Sequence, residues 1–158
     1  MTLLLDLVRH GEARPAGHGG DAARRLTPRG RTDVTRLAAR LRSEGVRPTH
    51  IFVSPLARAR ETAAILLSGR DDAPVPEIVE PLVPEAEPDE VLEVLTARDI
   101  REGYVLIVSH QPLVGRLVTF LTGGDTDFHA GTCVRITFEG EPGPRRGRLT
   151  HSIHPAGS

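Results

Sequence analysis

The chain has 158 residues, with 20 basic against 21 acidic side chains and a formal net charge of −1, which excludes a sequence-independent grip on nucleic acid or on an anionic membrane surface. Its 39% hydrophobic and 26% charged composition is that of a globular protein rather than a disordered chain, and the length predicts a single domain over residues 1–158. Apolar runs such as Tyr104–Val108 are about five residues long against roughly 20 for a membrane span, Met1 to Leu5 carries no basic leader, and Cys133 has no second cysteine to pair with; together these predict a cytoplasmic protein.

Leu3 to Val8 is a short apolar run that stops at Arg9-His10-Gly11, as a buried strand opening into a loop does. From Glu12 to Arg25, Gly, Ala and Arg recur without a period, which predicts a mobile loop beside the strand end. Thr27 then precedes Pro28 as N-cap and first helical residue, and Val34, Leu37, Ala38 and Leu41 keep helical spacing up to Gly45. His50 to Val53 reads as a second strand, running into Ser54-Pro55 as the N-cap and first turn of a helix that continues through Leu67. Between Pro74 and Pro88 there is room for a brief strand at Ile78-Val79, followed by a helix from about Asp89 to Ala97. Tyr104 to Val108 is the clearest buried strand, and Pro112 starts a helix carrying Leu113, Val114, Leu117, Val118 and Leu121. Two last strands, near Thr132 to Phe138 and Arg148 to Ile153, flank the turn-forming Gly140 to Gly147. Cys133 lies in the alternating run of the first of these and reads as a small buried hydrophobe. Strands alternating with helices predict an α/β fold in three α/β/α layers, its sheet mostly parallel with an antiparallel addition at one edge.

In such sheets ligands bind beyond the carboxyl ends of the strands. Those ends are Arg9-His10-Gly11, Ser54-Pro55-Leu56-Ala57-Arg58 and Ser109-His110-Gln111-Pro112, so two Arg and two His gather at one edge. The set suits a dianion, and phosphate best, because an Arg fork holds two oxygens at once. Arg58 also falls in the first turn of its helix, where free N–H groups favour an anion. All the basic residues are Arg, which excludes Schiff-base chemistry and a phosphate-loop lysine.

These residues resemble the histidine phosphatase superfamily, the phosphoglycerate mutase-like branch 1. Arg9-His10-Gly11 matches its Arg-His-Gly signature, Ser54 to Thr62 its second arginine motif, and Ser109-His110 its second histidine. The small size, Leu26-Thr27-Pro28-Arg29-Gly30 and Val105 to Gly115 are most similar to the short SixA-type phosphohistidine phosphatases. The resemblance implies a phosphoglycerate mutase-like fold and a phosphatase in which His10 is the transiently phosphorylated nucleophile. Arg9, Arg58 and His110 would bind the phosphoryl oxygens, with Gly11 beside them. Neutral imidazole is a good nucleophile near pH 7, whereas His110 is expected to serve as a cation on the equatorial oxygens. No metal and no cofactor are expected, since Arg supplies the positive charge.

Larger members of the family protonate the leaving group with an acid between the second arginine and second histidine motifs. Glu85, Glu87 and Asp89 occupy that interval, Glu85 being the first choice, and an exposed acidic loop accounts for all three equally. Phosphohistidine tolerates a missing acid, because imidazole is already protonated near neutral pH and an alkoxide is not. The expected partner is therefore a phosphohistidine-bearing protein, the alternatives being a small phosphorylated substrate such as a sugar or nucleotide phosphate, or an idle phosphoprotein-docking module. About fifty residues between Arg58 and His110 leave little chain there for a lid. Glu12 either orients an Arg or is a solvated carboxylate. His18 and His129 read as loop residues, His129 with a place open to it in the cleft. His151 and His154, lacking a third ligand, read as surface side chains, and Arg145, Arg146 and Arg148 as a solvated hairpin tip.

Overall fold

The computed structural model describes residues 1–156. Six strands, β1 (Leu3–Arg9), β2 (His50–Val53), β3 (Glu77–Ile78), β4 (Gly103–Ser109), β5 (Cys133–Phe138) and β6 (Arg148–Ile153), form one sheet in the order β3-β2-β4-β1-β5-β6. β1 to β4 run parallel, and β5 and β6 extend the β1 side antiparallel. Four α-helices connect them: α1 (Pro28–Ser43), α2 (Ala57–Leu67), α3 (Pro88–Ala97) and α4 (Leu113–Thr122).

The period of two along each strand divides the apolar residues between two cores. Leu3, Leu5 and Leu7 of β1 and Val105 and Ile107 of β4 point to one face and pack on Val91, Leu95, Leu113, Leu117 and Leu121 of α3 and α4. Val8, Leu106 and Val108 point to the other and pack on Val34, Leu37, Leu41, Ala59, Ala63 and Leu66 of α1 and α2. This is the expected three-layer α/β/α sandwich, with its antiparallel edge.

Local signals account for most element ends. Thr27 Oγ1 accepts from Gly30 N at 2.9 Å and Pro28 opens α1, a cap whose loss costs about 1 kcal/mol. α2 departs from expectation. It begins at Ala57, two residues after Pro55, and its N-cap Leu56 makes no side-chain cap bond. The expected cap, Ser54, is fully buried and its hydroxyl serves elsewhere. A second departure concerns residues 12 to 25, which are tied down: Arg14 N bonds to Arg25 O at 2.8 Å, Ala13 and Leu26 form a bridge, and Asp21–Ala23 is a single 3-10 turn. Gly30 lets this loop lie against α1, since a Cβ there would stand 2.2 Å from Glu12 O.

Candidate active site

β2, β4 and β1 are neighbours in the sheet, so their carboxyl ends bring Arg58, His110, Arg9 and His10 together. The His10 and His110 ring centroids lie 5.0 Å apart. His10 Nδ1 is 2.8 Å from Gly11 O. A carbonyl only accepts, so Nδ1 carries the proton and Nε2 keeps its lone pair. Arg58 Nε donates to that Nε2 at 3.3 Å. Burial, reinforced by the charges of Arg58 and Arg9, pulls the His10 pKa down to about 4, against the pull of the Gly11 hydrogen bond. The ring is thus neutral near pH 7, with its free nitrogen facing a guanidinium.

His110 Nε2 lies 2.6 Å from Ser54 Oγ, and Ser54 Oγ also accepts from Leu56 N at 3.3 Å. With the hydroxyl donating to Nε2, the ring proton of a neutral His110 sits on Nδ1. That atom is buried without a hydrogen-bond partner, as is Arg9 Nε. The structure does not hold the expected cation at His110: burial first, then His10 and Arg58, lower its pKa to about 3. Two imidazoles and two guanidinia in one partly dry cleft cannot all be charged without an anion. Arg9 is anchored by Nη1 donating to Phe128 O at 3.0 Å, and the loop behind it is pinned by Gly131 N on Arg9 O and His10 O at 3.0 and 2.9 Å.

Thr62, in the quoted motif but without a role assigned from sequence, holds two of the strand ends together. Its hydroxyl accepts from Gly11 N at 3.0 Å and donates to Arg58 O at 2.8 Å, fully buried. Gly11 is required by close approach, a Cβ there falling 2.8 Å from Val34 Cγ2 and 3.1 Å from Gly30 O. Asp21 and Arg24 were also missed, both in the loop read as mobile. Arg58 Nη1 donates to Asp21 O at 2.9 Å and Nη2 to Asp21 Oδ2 at 3.3 Å, while Arg24 Nη1 donates to Asp21 Oδ1 at 3.2 Å. The chain that reaches over the cleft therefore comes from the first loop, not from the interval between Arg58 and His110. An Asp-x-x-Arg pair in a glycine-rich loop was the available signal.

None of the three acidic candidates makes a hydrogen bond or ion pair with His10, His110, Arg9 or Arg58 among the described residues. Glu85 is exposed and forms no side-chain hydrogen bond or ion pair among the described residues. Glu87 caps α3 with Glu90 and pairs with Arg116, and Asp89 is exposed in the first turn of α3. Glu61 is not a partner of Arg58 but pairs with Arg25 and Arg31. Glu12 accepts from Thr27 Oγ1 at 2.8 Å. His129 is exposed and its ring packs edge-on to His154, whose Nδ1 lies 2.9 Å from Thr132 Oγ1. Among the described residues no group of three or more His, Cys, Asp or Glu is placed to hold a metal ion, and no helix is long and apolar enough to cross a membrane.

A buried neutral imidazole with an unprotonated Nε2, beside two guanidinia and a second imidazole, has the chemistry to take up a phosphate-like oxyanion. Comparison with known proteins agrees. Residues 5–85 match the histidine phosphatase superfamily (branch 1), and the chain belongs to that family; its activity is that of a phosphatase. It is similar to the phosphohistidine phosphatase SixA of Escherichia coli K12, with 33% identity over 127 residues, covering 76% of this chain and 74% of that protein. An uncharacterized protein of Picosynechococcus sp. strain PCC 7002 is 32% identical over 127 residues, covering 79% and 76% of the two chains. The solved structure of the protein histidine phosphatase SixA complexed with tungstate superposes with a TM-score of 0.83 at 26% identity, over 96% of this chain and 97% of that one.

Proposed function

We propose that the chain hydrolyses protein phosphohistidine through a phosphorylated His10. The observation that carries this reading is the orientation of His10: Nδ1–H on Gly11 O and Nε2 free, next to Arg58. In the first half-reaction the Nε2 lone pair forms the bond to phosphorus, the bond to the leaving group breaks, and the leaving atom takes the electron pair. His10 then carries a positive ring that keeps its proton on Nδ1 and still donates it as a hydrogen bond to Gly11 O. Water attacks the phosphoryl group in the second half, and the pair of the broken P–N bond returns to Nε2. Arg58, Arg9 and His110 hold the equatorial oxygens, where charge accumulates. Arg9 Nε and His110 Nδ1 are buried and make no hydrogen bond among the described residues, and a buried polar atom left unpaired costs about 1–3 kcal/mol that a phosphoryl oxygen brought within reach returns.

Substrate class follows from what the cleft does not offer. Glu85, Glu87 and Asp89 are exposed, and none makes a hydrogen bond to His10, His110, Arg9 or Arg58, so none is held by the cleft residues in position to protonate an alkoxide. Imidazole needs none. The likeness to SixA, a phosphohistidine phosphatase whose structure carries the tetrahedral oxyanion tungstate, supports the same class. The test is the ratio of kcat/KM for a phosphohistidine-bearing protein domain to that for sugar and nucleotide monophosphates, with His10→Ala as control. The expected ratio is well above one, with turnover and acid-labile labelling of the protein both lost in His10→Ala. A ratio at or below one replaces this substrate with a small phosphomonoester, and normal turnover by His10→Ala removes the covalent mechanism.

A further inference from the structure

We propose that Asp21 recognises the leaving imidazole of the substrate, accepting a hydrogen bond from its ring N–H while Arg58 holds the phosphoryl group; this rests on the phosphohistidine reading above. Asp21 opens the 3-10 turn Asp21–Ala23 in the loop that follows β1. Its carboxylate shares one guanidinium with the nucleophile: Arg58 reaches His10 Nε2 through Nε at 3.3 Å and Asp21 Oδ2 through Nη2 at 3.3 Å. Arg58 is buried, with 4% of its side chain exposed, whereas 62% of the Asp21 side chain is open to solvent. Asp21 thus stands at the mouth of the cleft, where a side chain projecting from another protein enters.

Two properties follow from that position. The hydrogen bond from Arg24, with Arg58 adding to it, holds the Asp21 carboxyl below the ordinary carboxylate range. An ionised carboxylate has no proton to give to a departing alkoxide, and it repels a substrate carrying further anionic groups near the ester. Towards imidazole its effect is opposite. Phosphohistidine departs readily only when the ring nitrogen remote from phosphorus carries a proton, and a carboxylate accepting that N–H favours the protonated ring. As His10 Nε2 bonds to phosphorus, the P–N bond of the substrate breaks and its electron pair returns to the ring nitrogen. What leaves is neutral imidazole, its remaining N–H still on Asp21.

The arrangement matches the one around the enzyme's own ring. Gly11 O accepts the Nδ1 proton of His10, and Asp21 does the same for the substrate, so the phosphoryl group passes between two imidazoles that are each braced by an oxygen acceptor. Arg24, tied to Arg14 O through Nε at 2.7 Å, keeps Asp21 from collapsing onto Arg58 once the phosphoryl oxygens arrive.

The experiment compares Asp21→Asn and Asp21→Glu with wild type in the full chain, measuring kcat/KM on a phosphohistidine-bearing domain and on 4-nitrophenyl phosphate. The phenolate leaves without a proton and reports on the phosphoryl site alone. Asp21→Asn is expected to lose about 10- to 100-fold more on phosphohistidine than on the aryl ester, and Asp21→Glu to bring the ratio of the two back towards that of wild type. A parallel fall on both substrates shows that Asp21 only props Arg58, and no change on either shows that it is not used; both overturn the inference. If wild type hydrolyses the aryl ester but not phosphohistidine, the substrate reading itself fails. If wild type hydrolyses both and Asp21→Asn is indifferent, this inference fails alone.

Discussion

Histidine chemistry in this cleft is decided by burial more than by neighbouring charge. Desolvation is the first cause of the lowered pKa at both His10 and His110. The nucleophile proposed for His10 is spoiled by protonation, so the sign is fixed: the rate rises with pH as His10 loses its proton and is flat above. An ordinary histidine would place that limb near 6.5, whereas His10 titrates at about 4. The pH profile of kcat/KM, which reports groups of the free enzyme, should therefore show no enzyme-derived fall between pH 8 and about 5, once corrected for the second ionisation of the phosphate ester near 6. An acid limb at 6 to 7 that survives the correction contradicts the buried, neutral ring. Cys133 illustrates the same rule in reverse. Burial pushes its thiol well up, which leaves it the inert small hydrophobe its alternating run suggested.

At the scale of elements, the strand ends were legible and the connections less so. β1, β2 and β4 each stop where an apolar run meets Arg9, Ser54 or His110, and that abrupt change is written in consecutive residues. Ser54-Pro55 also has the form of a helix cap, but capping is a local preference worth about 1 kcal/mol, and a buried histidine across the sheet claims the hydroxyl instead. Nothing near Ser54 in the chain encodes a partner 56 residues away. The loop after β1 failed to read for the same reason, since its order comes from Arg58, from the Arg14–Arg25 backbone bond and from Glu61 receiving Leu26 N at 2.8 Å. Ser54→Ala tests the consequence. It removes the one group that fixes the His110 tautomer, so 4-nitrophenyl phosphate turnover should fall about 10- to 100-fold. Stability should fall by about 1–3 kcal/mol, because the truncation leaves the buried His110 Nε2 without its partner. Unchanged kinetics in a folded Ser54→Ala protein show that Ser54 does not position His110.

At the scale of the whole molecule, a buried polar cluster lies in the layered cores away from the cleft. Asp6 sits in the middle of β1 with its side chain on the α1/α2 face, fully buried. Arg135 of β5 donates to it twice, Nε to Oδ1 at 2.8 Å and Nη2 to Oδ2 at 3.0 Å, and Tyr104 of β4 donates its hydroxyl to Oδ2. Glu44, at the end of α1, approaches Arg135 Nη2 at 2.9 Å. Hydrogen bonding to Asp6 pushes Arg135 up, and burial with Asp6 beside it pushes Tyr104 up, so the guanidinium stays charged and the phenol neutral. β1 carries Arg9 and His10 at its end and has β4 on one side and β5 on the other. The cluster thus joins the strand that leads into His10 to both neighbours and to the first helix. A buried pair gains little over well-packed apolar side chains, because desolvation consumes most of the attraction, but removing one partner strands the other charge. Asp6→Ala should therefore cost about 3–5 kcal/mol in urea unfolding. Asp6→Leu with Arg135→Met should recover most of that loss, and kcat/KM of the double variant should stay near wild type because neither residue touches the cleft. Equal losses in Asp6→Ala and the double variant would mean that the cluster contributes by packing, and a selective loss of activity in the double variant would mean that the register of β1 against β5 is what keeps His10 in place.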